Sequence, residues 1–206
     1  MSGDHHHDQT HDHDDHRTHH DHDDHHGHEH GHDDHHPHDD HDDHHHHDAE
    51  SVGVAVVTVS SSRTLDSDPS GDYIAGAFEG ADHEVVAREL VPDDFEAIRG
   101  AVDDLIARSD VDAVVTTGGT GVTPDDVTPE AVSDLLGTEL PGFGELFRTL
   151  SYEEVGTRTV GSRATAGIAD GVPVFCLPGS ENAARLGVEA IILPEVGHLV
   201  GLATRD

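Results

Sequence analysis

The stretch that decides the fold is DAVVTTGGTGVTPDDVTPEA, residues 112–131. Its apolar run enters two threonines and the glycine-rich turn Gly118–Gly121, a pattern typical of a buried strand that ends in a loop. Because glycine carries no side chain, the backbone N–H groups of such a loop can approach an anionic ligand closely. The carboxylates of Asp125 and Asp126 follow, and carboxylates can hold Mg²⁺ against phosphates. The segment predicts a strand, a phosphate-binding loop and then a helix that begins near Pro129.

Residues 1–50 form a separate segment of His and Asp with hardly any apolar side chains. A segment of this composition cannot bury enough apolar surface to offset the entropy of ordering its backbone, so we predict a disordered tail. The remaining residues, 51–206, are enough for one domain with its own core.

The tail holds 22 of the 24 histidines, including the consecutive residues His44, His45, His46 and His47. Imidazole suits Zn²⁺ and Ni²⁺, so we predict weak transition-metal binding by the tail, with a merely solubilising extension as the alternative. Because metal ligation needs neutral imidazole, this binding should weaken as the pH falls through about 6.5. The two histidines outside the tail, His83 and His198, are expected to be structural.

The chain carries a formal charge of -34, and residues 51–206 alone combine 27 acidic side chains with nine arginines and no lysine. A lysine-free acidic surface predicts adaptation to molar salt, where the Debye length is about 3 Å; an acidic mesophilic protein is the alternative. Charge of this sign argues against nucleic acids and anionic membranes as partners. Neither a signal peptide nor an apolar stretch of bilayer-spanning length is recognised, so we expect a cytoplasmic protein.

The apolar patterning predicts strands that alternate with helices. The strands are expected at 52–60, 84–90, 113–117 and 172–177; helices are expected at 73–78, from 91–94 to about 108, at 129–136, in a short piece within 141–150, at 182–193 and at 198–203. This order predicts a three-layer α/β/α sandwich with a largely parallel sheet. Ligands of such sheets bind beyond the carboxyl ends of the strands, where the glycine-bearing loops 118–121 and 178–180 lie.

Taken one at a time, these motifs have ordinary explanations. The glycine loop matches neither the Walker pattern nor the dinucleotide fingerprint, and such loops are more often tight turns. Aspartates ahead of a helix are commonly capping residues. On these residues alone, the sequence indicates an α/β domain that binds a phosphorylated ligand of unknown kind.

Three motifs in register indicate more. TTGGTG…DDVTPEA, GFGELFRTLSYEEVGTRTVGSRATAG and FCLPGS…IILPEVGHL occur in this order. Together they closely resemble the MoaB/MogA family of molybdenum-cofactor biosynthesis proteins, over residues 52–202. The GFGE and LSYEE stretches are more similar to the MoaB branch. The resemblance implies a three-layer α/β/α fold and a homo-oligomer, either a hexamer or a trimer, with other cofactor-assembly proteins as candidate partners.

The resemblance also implies an activity. In it, the terminal phosphate of molybdopterin attacks the α-phosphate of ATP in the presence of Mg²⁺, and pyrophosphate leaves. A molybdopterin-binding protein of the same fold without catalytic activity is the alternative. The DDVT sequence is also similar to the related domain of CinA-type proteins, which handle nicotinamide nucleotides, but the GFGELFR and SRATAG motifs argue against that class.

Carried over residue by residue, the resemblance places the catalytic, magnesium-binding carboxylates at Asp93 and Asp126. It further implies a set of residues that bind molybdopterin and nucleotide phosphates, namely Thr117, Gly118, Gly119, Thr120, Gly121, Ser151, Arg158, Ser162, Arg163, Pro178, Gly179 and Ser180. Arg163 is the expected phosphate partner because its planar fork matches phosphate geometry. Many family members carry Arg where this chain has Asp125, so adenylylation is expected to be weaker unless Asp125 adds a metal contact.

Overall fold

The computed structural model describes residues 48–205. The strands are β1 (Gly53–Val59), β2 (Glu84–Val91), β3 (Ala113–Thr117), β4 (Thr138–Glu139), β5 (Thr165–Ala169) and β6 (Val172–Leu177). The helices are α1 (Pro69–Gly80), α2 (Phe95–Ile106), α3 (Thr128–Ser133), α4 (Pro141–Val155), α5 (Glu181–Gly187) and α6 (Leu193–Ala203). A 3₁₀ segment, Gly156–Gly161, follows α4, and a π segment, Val188–Ile192, joins α5 to α6.

The predicted tail lies outside the described residues, apart from its last three positions. The tail histidines that were expected to bind a transition metal lie outside them too: His44, His45, His46 and His47. Disorder of the tail and weak metal binding by it therefore stay predictions.

The strands form one sheet in the order β2-β1-β3-β6-β5-β4. The pairs β1–β2, β1–β3 and β3–β6 are parallel, whereas β5 runs antiparallel to both of its neighbours. The predicted α/β class with a largely parallel sheet is therefore confirmed. The parallel pairs place the carboxyl ends of β1, β3 and β6 at one edge, because parallel neighbours run in the same direction.

Helices cover both faces of the sheet. Val54 and Val56 point towards the layer that contains α1, α4, α5 and α6, while the intervening Ala55 and Val57 point towards α2 and α3. Strands buried on both faces need apolar side chains at every position, which explains the continuous apolar runs in the sequence. The buried side chains on the two faces thus fix the sheet from which the glycine loop extends.

Several predicted boundaries need correction. Strands β3 and β6 match their predicted bounds, but α4 continues to Val155 rather than ending at 150. The segments predicted separately at 182–193 and 198–203 form one helical run, Glu181–Ala203. Strands β4 and β5 were not predicted, because they are short and contain small or exposed residues that lack a strand pattern.

The run Glu181–Ala203 corrects the expectation that the sequence has no apolar stretch of bilayer-spanning length. It has 23 residues and is apolar enough that, by length and composition alone, it could cross a membrane. One side of it packs into the core through Val188, Ile192 and Val196, whereas Arg185 and Glu189 lie on the outer side. A helix that packs on a sheet in this way passes the same composition test, so the run is weak support for a membrane span.

Candidate functional site

The loops that follow β1, β3 and β6 line a cavity of about 520 Å³ at the carboxyl edge of the sheet. Its walls are formed by Val59, Ser60, Ser62, Arg63, Gly118, Gly119, Thr120, Gly121, Asp126, Gly161, Ser162, Pro178 and Gly179. The structure therefore brings together the predicted glycine loop, one predicted carboxylate and part of the predicted Pro-Gly-Ser turn. This is the position at which ligands of open parallel sheets bind.

The glycine loop has a backbone that only glycine adopts without strain. Gly118 has a φ of 111° and Gly119 a φ of 62°. A side-chain carbon added at Gly118 would overlap the carbonyl oxygen of Val59, and one added at Gly119 would overlap the hydroxyl of Thr128. The loop thus packs directly against the last residue of β1 and the first residue of α3. No glycine side chain lies between its backbone and a bound ligand.

Asp126 is held at the rim of the cavity by the turn that precedes it. Its Oδ2 accepts hydrogen bonds from the backbone N–H of Thr123 at 2.8 Å and from the Thr123 hydroxyl at 2.5 Å. Burial by itself would raise the pKa of Asp126. The hydrogen bonds from Thr123 and Gly121 and the nearby charge of Arg163 outweigh burial, so the pKa lies below its ordinary value. The carboxylate is therefore ionised and oriented at neutral pH.

Arg163 clamps the glycine loop. Its Nε donates to the Gly121 carbonyl at 2.7 Å and its Nη2 to the Asp126 carbonyl at 2.5 Å, while Nη1 donates to the Glu130 carboxylate. Its backbone N–H donates to the Thr120 carbonyl at 3.1 Å. This guanidinium was expected to contact a phosphate. In the structure two of its nitrogens bond to carbonyls of the loop and the third to Glu130 on α3, beside a neighbouring cavity of about 400 Å³.

Asp93 does not line the main cavity. Its Oδ2 accepts from the Ser61 N–H at 2.7 Å and from the Ser61 hydroxyl at 2.8 Å. These bonds hold the segment that follows β1, in which Ser60 and Ser62 face the cavity. The two predicted catalytic carboxylates therefore occupy different positions: Asp126 faces the cavity and Asp93 supports one of its walls.

Sequence reasoning missed Arg63, which is the only cation among the described residues that line the main cavity. Its Nη2 donates to the Gly179 carbonyl at 2.9 Å, and its Nη1 donates to the Ser70 hydroxyl at 3.1 Å and to Asp68 at 3.3 Å. A signal was present, because SSSR directly follows the first buried strand and so places a cation at the carboxyl edge. Arg63 joins the loop after β1 to the loop after β6.

The carboxylate that holds Arg63 is itself buried. Asp68 is 1% exposed and caps α1 by accepting from the Gly71 N–H at 3.1 Å. It also accepts from the Thr58 hydroxyl at 2.5 Å, and Arg88 lies 3.6 Å from its second oxygen. A buried carboxylate is tolerated when cations and hydrogen-bond donors surround it in this way. The position of Arg63 is thus set by the fold.

The remaining predicted residues lie around a second cavity of about 240 Å³. Ser151, Arg158 and Ser180 line it, and Ser162 and Pro178 form a wall that it shares with the main cavity. Thr117 lines neither cavity: it is buried, and its hydroxyl donates to the Pro178 carbonyl at 3.1 Å. The predicted residues therefore divide into two adjacent cavities, with Thr117 and Arg163 supporting them.

Within residues 48–205, no group of three or more His, Cys, Asp or Glu side chains is arranged to hold a metal ion. Mg²⁺ requires less from a protein, because it keeps several waters and takes one or two carboxylates plus substrate phosphates. The Asp126 carboxylate and the hydroxyls of Ser60 and Ser62 are oxygen donors of the kind that Mg²⁺ prefers. The residues present thus fit a magnesium ion that arrives with a phosphorylated substrate.

Cys176 takes no part in such chemistry. It is fully buried in β6, and burial raises the pKa of its thiol to about 12. The thiol therefore stays protonated at neutral pH and acts as a small apolar side chain.

A three-layer α/β domain whose glycine loop and ionised carboxylate line a cavity at the carboxyl edge of the sheet has the architecture of the α/β proteins that bind small ligands at this edge. The profile of the family described as "Probable molybdopterin binding domain" matches residues 55–198, and the chain belongs to this family. The chain is 40% identical over 158 residues to molybdenum cofactor biosynthesis protein B of Halalkalibacterium halodurans. The matched residues cover 76% of this chain and 93% of that protein.

Solved structures agree with this assignment. A crystal structure of a molybdenum cofactor biosynthesis protein B matches with a TM-score of 0.74 and 44% identity, over 76% of this chain and 98% of that one. The tungsten cofactor synthesizing protein MoaB from Pyrococcus furiosus matches with a TM-score of 0.69 and 43% identity, over 76% of this chain and 99% of that one. The resemblance to the MoaB branch is therefore confirmed.

Proposed function

We propose that this member of the molybdenum cofactor biosynthesis family adenylylates molybdopterin. An oxygen of the terminal phosphate of molybdopterin attacks the α-phosphate of ATP; the bond from that phosphorus to the β-phosphate bridging oxygen breaks, and pyrophosphate leaves. The observation that carries the proposal is the glycine loop, which Arg163 clamps beside the ionised carboxylate of Asp126.

The two adjacent cavities suit a reaction between two substrates. We assign the nucleotide phosphates to the main cavity, where the glycine loop offers backbone N–H groups, and the pterin to the cavity lined by Ser151 and Arg158. The shared wall of Ser162 and Pro178 then lies where the two reacting phosphates meet. Holding both substrates in line in this way removes much of the entropic barrier to their reaction.

Charge neutralisation is the other requirement of phosphate transfer. When bound, Mg²⁺ neutralises the phosphates and polarises the phosphorus that is attacked. Asp126 would hold this ion, because its lowered pKa keeps it ionised. Arg63 faces the same cavity and is pre-positioned by Asp68 and the Gly179 carbonyl. We assign Arg63 a contact with the nucleotide phosphates, either with those that leave as pyrophosphate or with those that anchor the nucleotide.

The proposal is tested by incubating the purified chain with molybdopterin, ATP and MgCl₂ in molar KCl while pyrophosphate release is measured. Asp126→Ala should lower the rate on the order of 100-fold, the usual cost of removing one group that stabilises the transition-state charge. Asp104→Ala is the matched control, because it removes an exposed carboxylate on α2 that lines neither cavity. Equal rates for Asp126→Ala and the parent protein would refute the role of Asp126.

A molybdopterin-binding protein without catalytic activity is the second candidate, and the charge of the site favours it. The exposed Asp125 stands beside Asp126 at the position where the resemblance to the family implies Arg, and Arg63 is the one cation on the described wall of the main cavity. Asp125→Arg separates the candidates. A rise in pyrophosphate release would show a catalytic site limited by charge, whereas molybdopterin binding without product in both forms would establish the binding role.

We also propose that the chain forms a homo-oligomer, a hexamer or a trimer, and acts in the cytoplasm, where its nucleotide substrate is abundant. Light scattering in molar KCl gives the oligomeric state directly, and a monomer at assay concentration would refute this part of the proposal.

A further inference from the structure

The cavity of about 240 Å³ beside the main one contains a carboxylate that the proposed reaction does not use. Glu154 is the one acidic side chain on the described wall of this second cavity, which it shares with Arg158. Neither Glu154 nor Arg158 forms a hydrogen bond or an ion pair with any other residue in the range 48–205. Both charged groups can therefore bind a ligand that enters the cavity.

The helix that carries Glu154 does not explain its position. α4 ends at Val155 and has no basic side chain in its last turn. A carboxylate at the carboxyl end of a helix is disfavoured by the helix dipole, and no ion pair offsets this effect at Glu154. Side chains that break a local rule in this way are expected at functional sites.

The part of the second cavity where Glu154 lies suits a flat ring. Phe147 and Val155 line it, and Val155 is 48% exposed although it is apolar. Only Ser162 and Pro178 line both the second cavity and the main one, so Glu154 belongs to the wall that is not shared. A ligand whose phosphate reaches the shared wall would have its ring in the part that contains Glu154.

A pterin ring presents the donors that a carboxylate binds best. Its 2-amino group and the adjacent N3–H point in the same direction, as do two N–H groups of an arginine fork. A carboxylate accepts such a pair through both oxygens, and paired hydrogen bonds to a charged group are strong and specific. Adenine instead places a ring nitrogen that accepts next to its amino group, so a carboxylate repels this edge of the ring.

We infer that Glu154 determines the specificity of the second cavity by accepting hydrogen bonds from the 2-amino group and N3–H of the pterin. The inference rests on the proposed function, which assigns the pterin to this cavity. It narrows the substrate class to a 2-amino-4-oxopteridine that carries a phosphate on its side chain. The same carboxylate keeps the adenine of ATP out, so the two substrates do not exchange places.

The test titrates the full chain in molar KCl, without ATP, with 6-hydroxymethylpterin phosphate and with the corresponding lumazine, and follows the fluorescence of the ring. Lumazine has an oxygen in place of the 2-amino group and so sets an acceptor against the carboxylate. The parent chain should bind the pterin at least about 10-fold more tightly, the usual effect of losing a hydrogen bond to a charged group. Glu154→Gln should remove this preference, because an amide offers one donor and one acceptor and matches lumazine.

Glu153→Gln is the matched control. Glu153 precedes Glu154 on the same turn of α4, is exposed and lines neither cavity. This variant has the same change in charge and should keep the preference of the parent chain. The inference is overturned if the parent chain does not bind the pterin phosphate, if it binds both rings equally, or if Glu154→Gln keeps the preference.

GMP tests another source of the same donor pair, because guanine also carries an amino group beside a ring N–H. Weak GMP binding that Glu154→Gln leaves unchanged would support the pterin. GMP that binds more tightly than the pterin phosphate, and loses affinity in Glu154→Gln, would assign the cavity to a guanine nucleotide and overturn the inference.

The titrations and the adenylylation assay can fail separately. If no pyrophosphate is released but the pterin preference depends on Glu154, the proposed adenylylation fails and the inference stands. If pyrophosphate is released and Glu154→Gln binds the two rings as the parent chain does, the inference alone fails.

Discussion

Replacing Gly118 with alanine tests whether the glycine loop is built as the structure shows. The φ of 111° at this position lies in a region that L-residues rarely adopt. The added carbon would also lie within 3.0 Å of the Val59 carbonyl oxygen, a separation that side-chain carbons essentially never show. The end of β1 and the loop would have to move apart, and both are walls of the main cavity.

The expected cost combines two effects. Left-handed backbone costs an L-residue about 1–2 kcal/mol, and the overlap with a backbone atom adds about 1–3 kcal/mol, as overpacking does in cores. A loss of about 3 kcal/mol should lower the Tm by roughly 6–12 °C for a domain of this size. Because native stability is only about 5–15 kcal/mol, the variant should still fold.

Gly161→Ala is the matched control. Gly161 lines the same cavity, but a side-chain carbon there meets no atom within 4 Å. Thermal unfolding in molar KCl and ATP binding by calorimetry should show a lower Tm and weaker binding for Gly118→Ala, and values close to the parent protein for Gly161→Ala. If the two variants differ by less than about 2 °C, the description of the loop is wrong.

Four further outcomes are expected. Arg163→Lys keeps the charge but loses the planar fork that holds the Gly121 and Asp126 carbonyls. Because Arg163 is partly exposed, the free energy of unfolding in urea should fall by about 1–2 kcal/mol, and ATP should bind more weakly. The pKa of Asp126 is lowered in the fold, so its contribution to stability is present above the ordinary value of 3.8 and is lost as the pH falls through the folded-state value. Asp126→Asn should therefore show a shallower loss of Tm in that acid range. An identical pH profile of the Tm in the variant and the parent protein would contradict the assignment. Burial lowers the pKa of His83 below 6.5, so its contribution is present above pH 6.5 and is lost as the pH falls through the lower folded-state value; His83→Gln should lose less stability between about pH 7 and pH 5 than the parent chain. Lowering KCl from about 1 M to 0.1 M lengthens the Debye length from about 3 Å to about 10 Å and should lower the Tm through self-repulsion of the acidic surface; an unchanged Tm would refute adaptation to molar salt.

The sequence predicts the fold where one local signal is strong enough to decide it. β3 and β6 are apolar runs bounded by Gly or Pro, and both were predicted to the residue. β5 is TAGIA, whose small residues show no strand pattern; it becomes a strand because its backbone pairs with β6 from Thr165 to Ala169. Such pairing is a tertiary effect that no window of sequence contains.

The long helix was divided for a similar reason. Pro194 normally ends a helix, because it removes an N–H and clashes with the preceding turn. Here the π segment Val188–Ile192 comes just before it, and the core contacts of Ile192 and Val196 hold the helix on both sides of the proline. The packing on the sheet overrides the local signal.

Within the candidate site, the glycine loop was the easiest part to locate from the sequence, because its backbone conformation requires glycine. The glycine loop and Asp126 line the cavity, as their resemblance to the family implies. The functions of Arg163 and Asp93 depend on the partners that folding supplies, which are the loop carbonyls for one and Ser61 for the other. Arg63 was missed because its partners, Asp68 and Gly179, are brought to it by different elements.

The antiparallel strand β5 links one flank of the sheet to the glycine loop. Because β5 runs antiparallel to β6, its amino end lies at the edge where the parallel strands finish, and so does Arg163, two residues before Thr165. In the described part of the chain the sheet ends beyond β5 with the two-residue β4, whose side chains are both exposed, so β5 has a full-length strand neighbour on one side alone. Local unfolding of the flank would release the clamp on the glycine loop while the core stays intact. Ligand affinity would then be reduced by the fraction of molecules in which the flank is open.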